Sequence, residues 1–245
     1  MTSQEAVGYF AAAVRLFDNL TLIPAAIMGA FLPTISRLYG TSIGAFVRTL
    51  RFTLKYLFIL SAPIALVTGV LADPICRWLY GQAFVPSVLA LQVLASALVF
   101  EFWNYAGDSV LIAQNRERLL LALLGIETAV QIGACLLLIP KLSYLGACWA
   151  VLVTQASHWG MLLVALHRHL GGLAFARQLV APALAAALMG GVLLVLADRS
   201  LTAALLLGIT AYGAALLGMR AVSMCELRPF LGAMPGPLEQ LLRRP

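Results

Sequence analysis

Charge is what this sequence has least of. Only 11% of its 245 residues are Asp, Glu, Lys or Arg, whereas 62% are hydrophobic, and the mean hydropathy is +0.96. A water-soluble domain carries about 25% charged residues, so this chain lacks the polar surface needed to cover a soluble globule. Paired cysteines are also missing. Cys76, Cys135, Cys148 and Cys225 stand singly, which excludes a CxxC redox or zinc motif and argues against a disulfide framework. In or beside apolar runs, such cysteines read as small hydrophobes. No GxSxG, HExxH, P-loop or glycine-rich dinucleotide fingerprint occurs. Enzymatic chemistry, a cofactor and a metal site are therefore not expected. The opening MTSQEAVGYF has no basic region and no cleavage motif, so it does not read as a signal peptide.

Long apolar runs are abundant instead. A helix needs about 20 mostly apolar residues to cross a hydrocarbon core, and seven segments qualify: 7–35, 54–72, 88–113, 119–139, 145–166, 179–197 and 201–219. The sequence predicts an all-α, polytopic membrane helix bundle. Polar, glycine and proline residues between the runs mark turns in RLYGTSIGAFVR, DPICRWLYGQAFVP, QNRER, PKLSYLG, HRHLGGLAFAR and ADRS. The net charge of +6 does not point to nucleic acid, because its basic residues are sorted by side. Arg37, Arg48, Arg51, Lys55, Arg116, Arg118, Arg168, Arg177, Arg220, Arg228, Arg243 and Arg244 fall on one set of connections, against Arg77, Lys141 and Arg199 on the other. Such a bias marks the first set as cytoplasmic and puts the C-terminus inside. The first span then begins outside after six residues, an unusual entry that points to a piece of a longer transporter.

Against this background the polar residues inside the spans stand out. A charged side chain at the bilayer centre costs about 2.5–3.5 kcal/mol on insertion scales, so each is a candidate for function. Arg15 and Asp18 are three apart on one helical face, Asn19 neighbours it, and Pro24 frees a carbonyl one turn away. This patch suits a cavity wall. Alternatively, Arg15 snorkels to the headgroups. In the third span Glu101 and Asp108 share a face. Glu101 is deep enough to hold a proton or cation, and Asp108 reads as interfacial. Trp103, Asn104 and Tyr105 lie beside them, where aromatics serve either sugar stacking or an interfacial belt. Glu127 and Gln131 share a face of the fourth span. Thr154, Gln155, Ser157 and His158 dot the fifth, and interhelical hydrogen bonding explains them at least as well as ligand binding. His158 lacks a second ligand at metal spacing, and His167 and His169 read as loop residues. The last two spans, rich in Ala, Gly and Leu, read as scaffold.

Three segments, in order, carry a resemblance: VGYFAAAVRLFDNLTLIPAAIMGAFLPTISRLYG, WLYGQAFVPSVLALQVL and LLLIPKLSYLGACWAVLVTQ. They resemble segments of the polysaccharide-exporting flippases of the multidrug/oligosaccharidyl-lipid/polysaccharide superfamily, over about residues 7–170. The resemblance implies two pseudo-symmetric lobes facing a central cavity. Residues 1–170 would then be a partial second lobe, and residues 171–245 two additional helices and a cytoplasmic tail. It implies translocation of an undecaprenyl-diphosphate-linked oligosaccharide across the bacterial cytoplasmic (inner) membrane by alternating access. Membrane lipids, a missing N-terminal lobe and the polysaccharide polymerase machinery would be the partners. Arg15 would contact the diphosphate with Asp18 as its resting partner, Asn19, Trp103 and Asn104 would line the substrate path, and Pro24 would act as hinge. Glu101 or Glu127 would couple an ion.

Other readings remain beside this one. The peptidoglycan-precursor flippases of the superfamily usually carry an Asp-Arg pair before the helical proline, where this chain has Val14-Arg15. A drug or cation antiporter would rely more on carboxylates than on an arginine. A retinal protein needs a lysine in its final span, and 201–219 has none. A non-transporting membrane subunit is the remaining alternative from another class.

Overall fold

A computed structural model describes residues 4–170, 176–196 and 201–219. All secondary structure among them is helical: α1 (Gln4–Thr41), α2 (Ile43–Val70), α3 (Ala72–Tyr80), α4 (Ser87–Ala113), α5 (Glu117–Leu142), α6 (Tyr144–Leu170), α7 (Ala176–Leu196) and α8 (Leu201–Gly218), with a 3₁₀ turn at Gln82–Phe84. All but α3 are long and apolar enough to cross a membrane. Large apolar side chains such as Leu121, Leu136, Leu137, Leu194 and Leu206 point outward. Lipid accommodates that surface where water would not.

The helices run further into the connections than turn-forming residues suggest. RLYGTSIGAFVR is almost entirely helical, and α1 gives way to α2 across Ser42 alone. The Ser42 hydroxyl caps α2 by accepting the Ala45 N–H at 3.3 Å, satisfying one of the free donors of the first turn. DPICRWLYGQAFVP is likewise no simple turn. It forms α3, where Arg77 donates from Nε to Asp73 Oδ2 at 2.7 Å, one turn apart, with the acid in the first turn and the base in the last. Gly81, at φ 84°, ends this helix in a region that residues with a Cβ rarely adopt. The break within PKLSYLG narrows to Ser143, with Pro140 inside α5, whereas QNRER does contain the α4–α5 break at residues 114–116. α1 continues through Pro24 and Pro33 without interruption. Neighbouring packing can hold a proline-containing helix when the freed carbonyl finds other company.

α4 is the central post, packed against α1, α2 and α6. One core gathers Phe46, Leu50, Leu54, Phe102, Leu162 and Leu166 between α2, α4 and α6. A second joins Ala13 and Phe17 of α1 to Leu91, Leu94 and Leu98 of α4 and to Cys148. Cys76 and Cys148 are buried free thiols packed as small hydrophobes. Near this end Tyr9 meets Phe84 and Tyr144 edge-on, while the Tyr80 hydroxyl donates to the Ala12 carbonyl at 3.1 Å. α5 and α6 form a hairpin so close that a Cβ on Gly146 would strike the Leu138 carbonyl. α7 and α8 form a second hairpin whose Ala185, Met189, Leu193 and Ala204 pack with Ala62 and Leu71 of the α2 side.

Candidate functional site

Four polar residues of α4, Glu101, Asn104, Tyr105 and Asp108, follow the i, i+3, i+4, i+7 spacing of one helical face. α6 offers Thr154 and His158 one turn apart, with Gln155 beside them, and α5 offers Glu127. The helices bring these faces together. Asn104, 4% exposed, donates from Nδ2 to both the backbone carbonyl and the Oε1 of Gln155, each at 3.1 Å. Gln155 in turn donates from Nε2 to Glu101 Oε2.

One turn further, His158 is 1% exposed and stands between two carboxylates. Its Nε2 lies 3.0 Å from Asp108 Oδ1, and its Nδ1 lies 3.0 Å from Glu127 Oε2. The second contact has ion-pair distance without well-directed hydrogen-bond geometry. α1 joins from the other side: Asp18 acts electrostatically on Glu101, and Thr21 faces the Tyr105 hydroxyl. Two carboxylates, Asp108 and Glu127, thus face one imidazole inside apolar helices, with Glu101 close enough to act on the same cluster. Crowded like charge in a low-dielectric setting favours uptake of a proton or a cation. A cavity of about 390 Å³ between α5 and α6 reaches this seam and is lined by Glu127, Thr128, Gln131, Thr154 and Gln155.

Glu101, Glu127 and Asn104 therefore meet in one site. The remaining sequence candidates lie elsewhere or behave differently. Arg15 and Asp18 form no ion pair with each other; both are exposed on α1, as is Asn19. Three-residue spacing permits such a pair but does not impose it, because two long side chains lose freedom to make it. The proposed resting partnership is thus absent. Trp103 faces away from the seam. Its ring stacks between Phe58 and Trp159, with centroids 5.6 and 5.2 Å away, and its Nε1 donates to the Leu54 carbonyl at 3.1 Å. Those contacts tie the half-buried ring to α2 and α6 within the bundle. Pro24 is buried, and its missing N–H frees the Leu20 carbonyl within an unbroken helix.

Asp108 is not merely interfacial, and His158 and Gln155 are the hinge points of the network. Their spacing was visible in the sequence, as was the preference for interhelical hydrogen bonding. Which helix supplied the partners was not. Among the described residues no three His, Cys, Asp or Glu side chains converge as metal ligands would. Arg177, His169 and the basic residues from Arg220 onward lie outside the described side chains. No protein-family model matches the chain, and no curated protein matches it as a relative.

Proposed function

We propose that this chain is part of an ion-coupled membrane transporter that flips an undecaprenyl-diphosphate-linked oligosaccharide for cell-surface polysaccharide synthesis. The observation that carries the transport reading is the Glu101–Gln155–Asn104 and Asp108–His158–Glu127 network inside apolar helices. A bundle that needed only to stand in lipid would be more stable with apolar side chains at these positions. The cargo assignment rests on the segmental resemblance and on Arg15, an exposed guanidinium on α1 without an ion-pair partner among the described residues. Its planar fork suits a diphosphate. The exposed stripe of Arg15, Asp18 and Asn19 is the natural wall of a translocation path, which a second lobe would close. On this reading the chain resides in the bacterial cytoplasmic membrane with its C-terminus inside, residues 1–170 belong to the second lobe, and α7–α8 are accessory helices. The polymerase machinery would receive the flipped product. The peptidoglycan-precursor branch fits less well for want of an acidic residue before Arg15.

A cation antiporter is the second reading, favoured by the density of carboxylates around His158. Depletion at the native locus, followed by mass spectrometry of undecaprenyl-linked intermediates in membranes, separates these possibilities. The flippase reading expects one oligosaccharide-diphosphate-lipid to accumulate with normal peptidoglycan precursor. Accumulation of the peptidoglycan precursor instead moves the protein to the neighbouring branch. No accumulation, with altered cation tolerance, selects the antiporter; no accumulation and no change in tolerance selects a non-transporting subunit.

A further inference from the structure

The geometry points to a single exchangeable proton, shared by Asp108, His158 and Glu127, that clasps α5 to α4 and α6. Each ring nitrogen of His158 has a carboxylate oxygen at 3.0 Å, in hydrogen-bond geometry at Nε2 and off that line at Nδ1, and the ring is all but inaccessible. A neutral imidazole has one N–H. Against two ionised carboxylates it would satisfy one and set a lone pair against the other. One added proton on the ring removes that repulsion, because each nitrogen then carries an N–H on the side of a carboxylate. The trio therefore fits its observed arrangement when it holds the proton and loses one of its two contacts when it does not.

The consequence falls on α5. Leu123 is the one buried residue of that helix, so few apolar contacts hold it apart from its packing on α6. Glu127 is its tie to the histidine. When the Nδ1 proton passes to the Glu127 carboxylate, the products are a neutral carboxyl and an imidazole still protonated at Nε2 toward Asp108. Loss of that carboxyl proton to the cavity then leaves Glu127 ionised against a bare Nδ1, and the tie is released. The route outward is already built. Glu127 lines the cavity between α5 and α6, and so does Thr154, 4% exposed, whose hydroxyl has no hydrogen-bond partner among the described residues and lies one turn from His158. The charged and titratable groups facing the ring are Asp108 on α4 and Glu127 on α5, with Glu101 and Tyr105 of α4 and Asp18 of α1 next around them. The use of this proton to drive flipping rests on the proposed function; its binding does not.

The test uses the full chain in phosphatidylethanolamine–phosphatidylglycerol nanodiscs, labelled with ¹⁵N-histidine. The sequence has three histidines, and H158Q identifies the His158 signals by their loss. We expect His158 to pass from two ring protons to one as the pH is raised. In E127Q and in D108N the midpoint should move by about tenfold or more in proton concentration, while His167 and His169 stay put. Hydrogen exchange of α5 amides, corrected for intrinsic pH dependence, should rise as His158 loses its proton in the wild type and not in E127Q. A ring that never changes protonation, one that titrates identically in wild type and both variants, or α5 exchange indifferent to the ring's state overturns the proposal. No cargo enters either measurement. Failure to flip oligosaccharide would therefore sink the flippase reading and leave the clasp standing.

Discussion

The α4–α5–α6 seam and the α7–α8 hairpin solve the same problem in opposite ways. Both must hold helices together where lipid offers no hydrophobic drive for association. The hairpin does so with small residues. Gly208 lets Leu193 approach to what would be 3.1 Å from a Cβ, and Ala185 and Ala204 are fully buried. Its one polar tie to the rest of the bundle among the contacts described is the Tyr212 hydroxyl, which donates to the Ile59 carbonyl at 2.8 Å. The seam instead buries acids, amides and an imidazole, each needing a partner of matched chemistry. Small-residue packing tolerates drift along the helices, whereas a charged network is satisfied only in one register. The seam is consequently where a proton or an ion would act on the packing, whereas the described side chains of the hairpin helices include no charged group.

The contrast breaks most sharply at His158. His158→Leu leaves Asp108 and Glu127 without their shared partner, and unfolding in detergent should show a loss of about 3–5 kcal/mol. Transport should be abolished with it. Gly146→Ala tests the close approach inside the α5–α6 hairpin. The new methyl meets the backbone at Leu138, which cannot rotate away, so about 1–3 kcal/mol of stability should be lost. Gly107→Ala is a useful comparison, because there the obstacle is the flexible end of Leu162 and the loss should be smaller. If the proposed flippase reading holds, Arg15→Ala should lower flipping at least about tenfold, or about 1.4 kcal/mol in transition-state terms, with the unfolding midpoint unmoved. Intact flipping in that variant would remove Arg15 from the cargo path. Tyr212→Phe should cost about 1 kcal/mol while leaving transport at the wild-type rate, measured in the same vesicles. A transport defect there would show that the hairpin belongs to the machinery and is more than scaffold.

Much of the seam was legible before any coordinates. Glu101 and Glu127 stood out because charge is scarce in apolar spans, and the one-face spacing of 101, 104, 105 and 108 is a property of any helix. The failures share a cause. Trp103 and Asn104 are adjacent, yet consecutive helical residues point about 100° apart, so one enters the seam and the other the aromatic stack with Phe58 and Trp159. Arg15 and Asp18 have the spacing of a pair and do not form one. α3 was hidden because Asp73, Pro74 and Gly81 read as turn residues, although Asp in the first turn and glycine after the last are what a short helix needs.

By itself, the sequence determined the all-helical class and the approximate helices. Continuous apolar runs of about 20 residues satisfy their backbone in lipid as helices, and helix length follows from those runs. It also determined that α7 and α8 would be apolar scaffold-like helices, since they contain almost nothing else. Only the tertiary structure decided that Glu127 of α5 and Asp108 of α4 would meet at the same histidine of α6. Helical periodicity sets which residues share a face, but the rotation and depth at which faces meet are set by packing. Here Gly107 against Leu162 and Gly146 against Leu138 bring the helices close enough for those three side chains to touch.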